Sequence, residues 1–552
     1  MSAATKENSL TRTHAAPGEP FVWLTAMGLT LGLLMVFGLL GIIVANGVPV
    51  FWPSPVVEVT LKPGVRNPVP GGGETFAGNL VQKRVKRTPV LDATGNPRSD
   101  QSELQYFIGN KDSYGLNFAF INGADVVKTV APKAIYVIER MEYGFAFGFP
   151  GSITYADGKT LPASDPSFPK ALRAFVSEGN ARHHEMEIIE KRDIGRINAT
   201  MNNIKVRGQG SPASVKEIAA LEERYAKLAA KARALRQLQM AATLTYKLPN
   251  GSEKTLPVGN IIGFYQPNQL GLLQKFGLFA HNIWNFLSQD PREANTEGGV
   301  FPAIFGTFVM TMLMSIAVMP FGVVAAIYLR EYARQGFFVR AVRIAVNNLA
   351  GVPSIVFGVF GLGFFVYFVG GSIDRTFFGE YLPTPTFGTG GILWAALTLA
   401  LMTVPVVIVA AEEAVAAVPR GMKEGSLACG ASKWQTIQRI VLPASLPGIL
   451  TGLVLAMARG AGEVAPLMLV GVVKLAPSLP IDGEFPFVHL ERKFMHLGFH
   501  IYDLGFQSPD SEAAKPMVFA TTLLLILLVV VLNLAAIMIR ERLRKKYATG
   551  AF

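Results

Sequence analysis

A hydrocarbon core about 30 Å thick is crossed by about 20 apolar residues in helical conformation, and six stretches of this chain reach that length with almost no charge in them. They run from Phe21 to Ala45, Phe301 to Leu329, Ile344 to Val369, Phe387 to Ala411, Ala444 to Val473 and Pro516 to Ile539. Lipid offers the backbone no hydrogen-bond partners, so uncharged runs this long specify helices that satisfy themselves. The predicted fold class is therefore an all-α polytopic membrane protein of six spans. Residues 46 to 300 are polar and long enough for one or two water-exposed domains, which makes the insert between the first two spans a mixed α/β extracytoplasmic unit.

The net charge of +12 and the isoelectric point near 9.6 would suit a nucleic-acid partner. The excess, however, sits beside the apolar runs, at Arg330, Arg334, Arg340 and Arg343 and again at Arg540, Arg542, Arg544, Lys545 and Lys546. Lys and Arg in those places orient a chain in a bilayer, so membrane lipid is the expected partner and nucleic acid is not. With these ends cytoplasmic, the divisions are a cytoplasmic segment 1–20, a first span 21–45, an outer domain 46–300, a membrane core 301–540 and a basic cytoplasmic tail 541–552. The first run is too long for a cleaved signal and is expected to stay as an anchor. Cys429 is the single cysteine, which rules out an intramolecular disulfide or a CxxC metal site.

The outer region opens on a Pro/Gly-rich lead-in, Pro49 to Gly73, followed by strand-like fragments such as Ala134 to Ile138. A long helix is predicted near 214–240. Ser214 and Glu217 have capping-box spacing, and Ile218, Leu221, Tyr225, Leu228, Ala232 and Leu235 form a coiled-coil-like packing seam. Lys227, Lys231, Arg233 and Arg236 read as a solvated face. Arg182-His183-His184-Glu185 has no metal-ligand spacing, and His496 and His500 lack a third ligand, so no metal is expected. Gly158-Lys159-Thr160 resembles the end of a phosphate-binding loop, but its leading glycine, Gly151, is two residues too far away. No nucleotide site or other cofactor is expected on this chain.

One span breaks the rule against charge. The fifth run holds Arg459 and Glu463, four residues apart and thus on one face of a continuous helix. Charges at membrane depth cost about 2.5–3.5 kcal/mol on insertion scales and mark ion or substrate paths. A guanidinium keeps its charge and offers paired donors to a tetrahedral oxyanion. A structural ion pair is the competing reading. Gly460, Gly462 and Ala465 mimic a dinucleotide fingerprint, but within a span small residues serve close packing or local unwinding. Asn347, Asn348 and Ser354, near Pro353 in the third run, are candidate pore-wall residues.

From Glu424 to Pro443 the sequence reads EGSLACGASKWQTIQRIVLP. This predicts a short helix, a sharp turn at Gly430, a second helix carrying Trp434, Ile437 and Ile440, and Pro443 opening the next span. The spacing of Glu424, Gly430, Ile440, Leu442 and Pro443 resembles the EAA loop of ABC importer permeases, with Gly425 and Ser426 in place of the two alanines. The stretches Ala350 to Gly358 and Ala456 to Leu467 are similar to those of the PstA family, permease subunits of bacterial phosphate importers. The resemblance covers roughly residues 300 to 540 and implies a type I importer fold in the inner membrane, with the 412–443 loop coupling to an ATPase. It implies a transporter subunit rather than an enzyme, partnered by a sister permease PstC, two copies of the ATPase PstB holding ATP and Mg, and a periplasmic binding protein PstS. Two alternatives remain at this point: a permease for another oxyanion, and a sensory or scaffolding membrane protein.

Overall fold

The computed structural model describes residues 20–86, 102–207, 212–483, 485–508 and 510–548. Of the expected divisions, the N-terminal segment up to residue 19 and the tail beyond residue 548 lie outside them.

Among the described residues, six helices are long and apolar enough to cross a membrane: Trp23–Phe51, Phe301–Tyr332, Ser354–Phe377, Ile392–Ala416, Lys433–Gly462 and Ser511–Lys545. The fourth is the hub. Its Trp394, Leu399, Met402 and Val407 are buried in one cluster with Met310, Met314 and Val318 of the second span and Ala456 of the fifth. Gly448 and Gly452 of the fifth face Ala414 and Ala410 of the fourth, the close small-residue approach that replaces hydrophobic driving force in lipid. Thr307, Thr311 and Ser315 are buried on the second span, where each hydroxyl donates to the carbonyl four residues back at 2.7 Å. The first span packs on the sixth, with the Gly47 position close to the Phe519 carbonyl.

Two spans differ from the sequence expectation. The third does not begin at Ile344. A separate helix, Phe337–Leu349, ends before Pro353, and the span proper starts at Ser354. Gly351 and Pro353 explain the stop, since proline supplies no N–H to continue a ladder and excludes helical geometry from the residue before it. The fifth is not continuous to Val473. It ends at Gly462, runs extended through Glu463 and restarts as Ala465–Val470. Pro466 has no N–H for the Gly462 carbonyl, and Gly460 and Gly462 lower the cost of unwinding there.

Among the described residues, eleven strands of the insert build its two main sheets. They are β1 Val57–Leu61, β2 Thr75–Val85, β3 Ser102–Phe107, β4 Phe118–Asn122, β5 Val126–Val130, β6 Tyr136–Arg140, β7 Phe145–Thr154, β8 Thr160–Pro162, β9 Thr243–Lys247, β10 Glu253–Pro257 and β11 Ile261–Tyr265. They form two antiparallel sheets, one in the order β4-β3-β2-β1-β5, the other β10-β9-β7-β6-β11 with β8 on β7. The Pro/Gly-rich lead-in supplies β1, and Ile135, Val137 and Ile138 at β6 are buried as the fragment's apolar run requires.

The long helix expected near 214–240 is present and forms one arm of a helical hairpin. Phe168–Glu187 continues through a π turn into Gly195–Arg207, and the second arm is Pro212–Ala241. Its seam holds: Ala232 is buried and Ile218, Leu221, Leu228 and Leu235 are half-buried, although Tyr225 is exposed. Ser214 lies inside this helix and does not cap it. The basic face is solvated, with Lys227, Lys231, Arg233 and Arg236 all exposed, and Lys231 and Arg236 also pair across the hairpin with Glu185 and Glu190 at 2.6 and 2.8 Å.

This domain is fastened to the ends of spans three and six. Asn117 donates to Asp510 at 2.9 Å and Gln105 to Glu512 at 3.0 Å beside the sixth span, and Tyr381 between spans three and four donates to Asn203 at 2.7 Å. A short ladder, β12 Pro291–Arg292 with β13 Glu297–Gly298, leads into span two, and Arg292 there pairs with Glu139 of β6 at 2.6 Å.

Candidate functional site

The break in the fifth span brings Arg459 and Glu463 together. Arg459 closes the last helical turn, and Glu463 follows in extended conformation, ψ 138°. Their side chains meet at 3.7 Å, Nε to Oε1, and are 36% and 21% exposed. The expected pair exists, but across a helix end rather than along a continuous face. At this distance the two charges attract without a close hydrogen bond, so the guanidinium keeps donors free for another acceptor.

The restarted helix is wedged against its neighbours. Gly358 of span three lies on Pro466, where a Cβ would come 2.7 Å from the Pro466 Cα, so only glycine lets the two approach. On the other side the loop between spans five and six folds back over the break. Gly498 abuts Val464, the Val473 N–H donates to the Phe494 carbonyl at 3.0 Å, and the Leu497 N–H donates to Thr307 Oγ1 at 2.9 Å. The same loop closes the top of span four, whose Ile392 and Leu393 N–H groups donate to the carbonyls of Arg492 and Leu490 at 2.9 and 3.0 Å. Non-helical backbone at membrane depth is thus satisfied by protein. His496 and His500 are buried in this loop, and burial pushes their rings down to about 3 and about 4, which keeps them neutral.

The other expected path residues are placed differently. Asn347 and Asn348 sit exposed at the end of the helix before span three, and Ser354 is the half-buried first residue of that span. Among the described residues, no side-chain hydrogen bond joins any of the three to the Arg459–Glu463 pair.

The loop between spans four and five folds as a helix, a turn and a second helix. Arg420–Ala428 ends at Gly430, whose φ of +83° is the left-handed geometry that glycine adopts without strain. The Gly430 and Ala431 N–H groups donate back to the carbonyls of Leu427 and Ser426 at 3.0 and 3.2 Å, a Schellman closure. Ser432 then caps the next helix reciprocally with Gln435. That helix runs through a π turn, Ile437–Val441, straight into the span. Pro443 therefore lies within one continuous rod, and the π turn sits where its missing N–H and ring disturb the ladder.

Glu424 and Trp434 are exposed, and Ile440, Leu442 and Pro443 half-buried. Ile437 corrects the expected docking face: it is buried with Val415, Val418 and Val441 and belongs to the core. A hollow of about 590 Å³ opens between the two helices, lined by Gly425, Ser426, Cys429, Gly430, Gln435 and Ile440. The loop is tied to the end of span two, for Lys423 pairs with Glu331 at 2.6 Å and Lys433 lies 4.8 Å over the Tyr332 ring. These anchors were not read from the sequence, since nothing local links Glu331 to a lysine 92 residues on. Arg343 likewise pairs with Glu412.

A model of the family described as the binding-protein-dependent transport system inner membrane component matches residues 318–545. The probable ABC transporter permease protein YqgH of Bacillus subtilis is 32% identical over 198 residues, 36% of this chain and 60% of that relative. The probable permease YqgI of the same organism is 30% identical over 285 residues, which are 49% of this chain but 90% of YqgI, leaving about half of the present chain without a counterpart there. The phosphate transport system permease protein PstA 1 of Mycobacterium tuberculosis is 35% identical over 243 residues, 44% of this chain and 71% of that one. These matches, over a stretch that holds apolar membrane-length helices, show that the chain belongs to the binding-protein-dependent inner-membrane permeases of ABC importers, as a PstA-like subunit.

Proposed function

We propose that this permease subunit carries inorganic phosphate, as half of a translocation path shared with a sister permease of the PstC kind. Two copies of a PstB-type ATPase supply ATP hydrolysis with Mg, and a periplasmic protein of the PstS kind delivers the anion. The chain itself performs no covalent chemistry. Both termini and the 412–443 loop face the cytoplasm, and the 46–300 domain faces the periplasm.

The observation that carries this reading is the half-buried Arg459 at the end of an interrupted helix, with Glu463 3.7 Å away. A fixed cation at membrane depth attracts a phosphate anion, and Glu463 holds the guanidinium until the anion displaces it or accepts a proton from the monoanion. Ser354, Asn347 and Asn348 extend the path toward the cytoplasm. Glu424, Gly430, Trp434, Ile440, Leu442 and Pro443 take up the movement of the ATPase. The rod from Lys433 to Gly462 transmits it to the break without an intervening joint.

Phosphate uptake by the assembled complex, with Arg459→Lys and Glu463→Gln, tests the reading. Loss of transport with intact assembly and retained ATPase association supports it. Normal uptake by both variants refutes a substrate role for the pair, and uptake of sulfate or molybdate in place of phosphate refutes the cargo.

A further inference from the structure

The helix Leu272–Ser288 joins the outer domain to the second span, and it has three faces of different chemistry. One face meets protein. Asn282 Nδ2 donates to the Phe51 carbonyl at 3.0 Å, the rings of Phe286 and Phe51 lie 5.0 Å apart, and Phe279 stands 5.7 Å from Trp52. A second carries Gln274, His281 and Asn285 along one polar stripe. The third is apolar and largely open: Leu273 is 88% exposed, Trp284 67% and Phe276 58%, the last at the edge of the stripe where its ring meets Trp52 at 5.1 Å, with Gly277 and Ala280 between them. At helical spacing these five fall on one side.

We propose that this helix lies in the outer headgroup–acyl boundary of the bilayer, with Leu273, Phe276 and Trp284 in lipid. A helix that presents one side each to protein, water and hydrocarbon fits that boundary and no single-phase setting. Continuity with the first span identifies the occupant. Its protein face is bolted to Phe51 and Trp52, at the outer end of that span. The span's exposed Leu24, Leu29, Leu33, Leu34, Val36 and Phe37 are distributed around its circumference. A partner chain covers one side of a helix, whereas fluid lipid covers every side that the sixth span leaves open. Trp284 then stands where the indole N–H reaches headgroups and the ring reaches chains.

The helix is also held rigidly at its start, where Asn268 donates to the carbonyls of Val56 and Pro132 at 2.7 and 2.8 Å and Gln269 to that of Lys133 at 2.8 Å. It thereby fixes the height of the outer domain over the membrane surface. This inference concerns the lipid contact alone and does not depend on the cargo.

Spin labels test it. On a Cys429→Ser background, Leu273→Cys, Ala280→Cys, Gln274→Cys and His281→Cys are labelled singly in the assembled importer in phospholipid nanodiscs. Accessibility to oxygen is compared with accessibility to a water-soluble nickel chelate. Expected is an oxygen-to-nickel ratio several-fold higher at 273 and 280 than at 274 and 281. High nickel accessibility at all four positions places the helix in water and overturns the proposal. Low accessibility to both reagents at 273 and 280 overturns it in favour of a covering protein chain.

Discussion

Asn295 Nδ2 donates to Asp503 Oδ2 at 3.1 Å, joining two side chains that are 2% and 1% exposed and 208 positions apart. Lys474 completes the group, its Nζ 2.9 Å from the same carboxylate. Asn295 turns the β12–β13 ladder whose Arg292 holds β6, so one short segment ties the outer domain to the loop that covers the broken fifth span. Asn295→Ala should cost about 1–3 kcal/mol for the lost bond to a buried acceptor. About 1 kcal/mol more follows because its φ of +74° suits asparagine better than alanine. Asn295→Asp should cost more still by setting two carboxylates together. Thermal unfolding of the assembled complex reads both, and unchanged midpoints would dismiss the latch.

The same junction is built to respond to pH. The Glu297 carboxyl is enclosed beside Gly144, where φ is +66° and a Cβ would fall 2.9 Å from its carboxyl carbon. Burial first, then Glu139 and Glu293, push it up to about 7 against the opposing pull of Arg292 and Arg140. The folded chain thus keeps a proton that the unfolded chain, with its ordinary value of 4.5, gives up. Its stabilising contribution is full below the unfolded value and disappears as pH rises through about 7. Melting curves of the assembled importer from pH 5 to 8 should fall in this interval, and Glu297→Gln should flatten that part of the profile. Parallel profiles for the two proteins would reject the assignment.

Much of the architecture was legible because hydrocarbon imposes a length rule that few sequences meet by accident. Phe21, Phe301 and Phe387 fall within a few residues of observed helix starts for that reason. The rule fails where proline and glycine interrupt an uncharged run. Nothing in hydropathy alone separates the helix ending at Leu349 from the span starting at Ser354, although Pro353 was the available signal. Arg459 and Glu463 were legible as a pair by spacing, but Pro466 placed Glu463 beyond the helix end. The first hairpin arm stayed hidden because its apolar Phe168, Leu172 and Val176 pack on a sheet, and sheet partners are set by tertiary pairing rather than by period. The Glu331–Lys423 anchor is likewise a long-range contact with no local trace.

Ile437 and Trp434 occupy one turn of helix but serve different partners. Ile437 is 2% exposed in a cluster with Val415, Val418 and Val441, so Ile437→Ala should cost about 2–5 kcal/mol of folding stability. Trp434 is 59% exposed, and Trp434→Ala should leave stability within about 0.5 kcal/mol while weakening association with the ATPase subunit by about 1–2 kcal/mol. Melting temperature and co-purification of the ATPase read the two effects separately. If Trp434→Ala lost stability and kept its ATPase, the docking face would lie elsewhere on the loop.

Gly430 isolates backbone conformation from packing. Its φ is +83°, and a Cβ placed there would meet nothing within 4 Å, so no side-chain clash accompanies substitution. Gly430→Ala must therefore act through the left-handed backbone, a cost of about 1–2 kcal/mol for a residue with Cβ. Asparagine visits that region more readily, so Gly430→Asn should recover part of the loss. Relaxation of the turn would swing Arg420–Ala428 relative to the rod that begins at Lys433 and distort the hollow between them. ATP-driven uptake should fall in the order glycine, asparagine, alanine while the melting temperature of the membrane core changes little, because the turn is exposed. Equal uptake by all three proteins would mean that the turn's geometry plays no part in coupling. A large drop in melting temperature would instead assign Gly430 to folding rather than transmission.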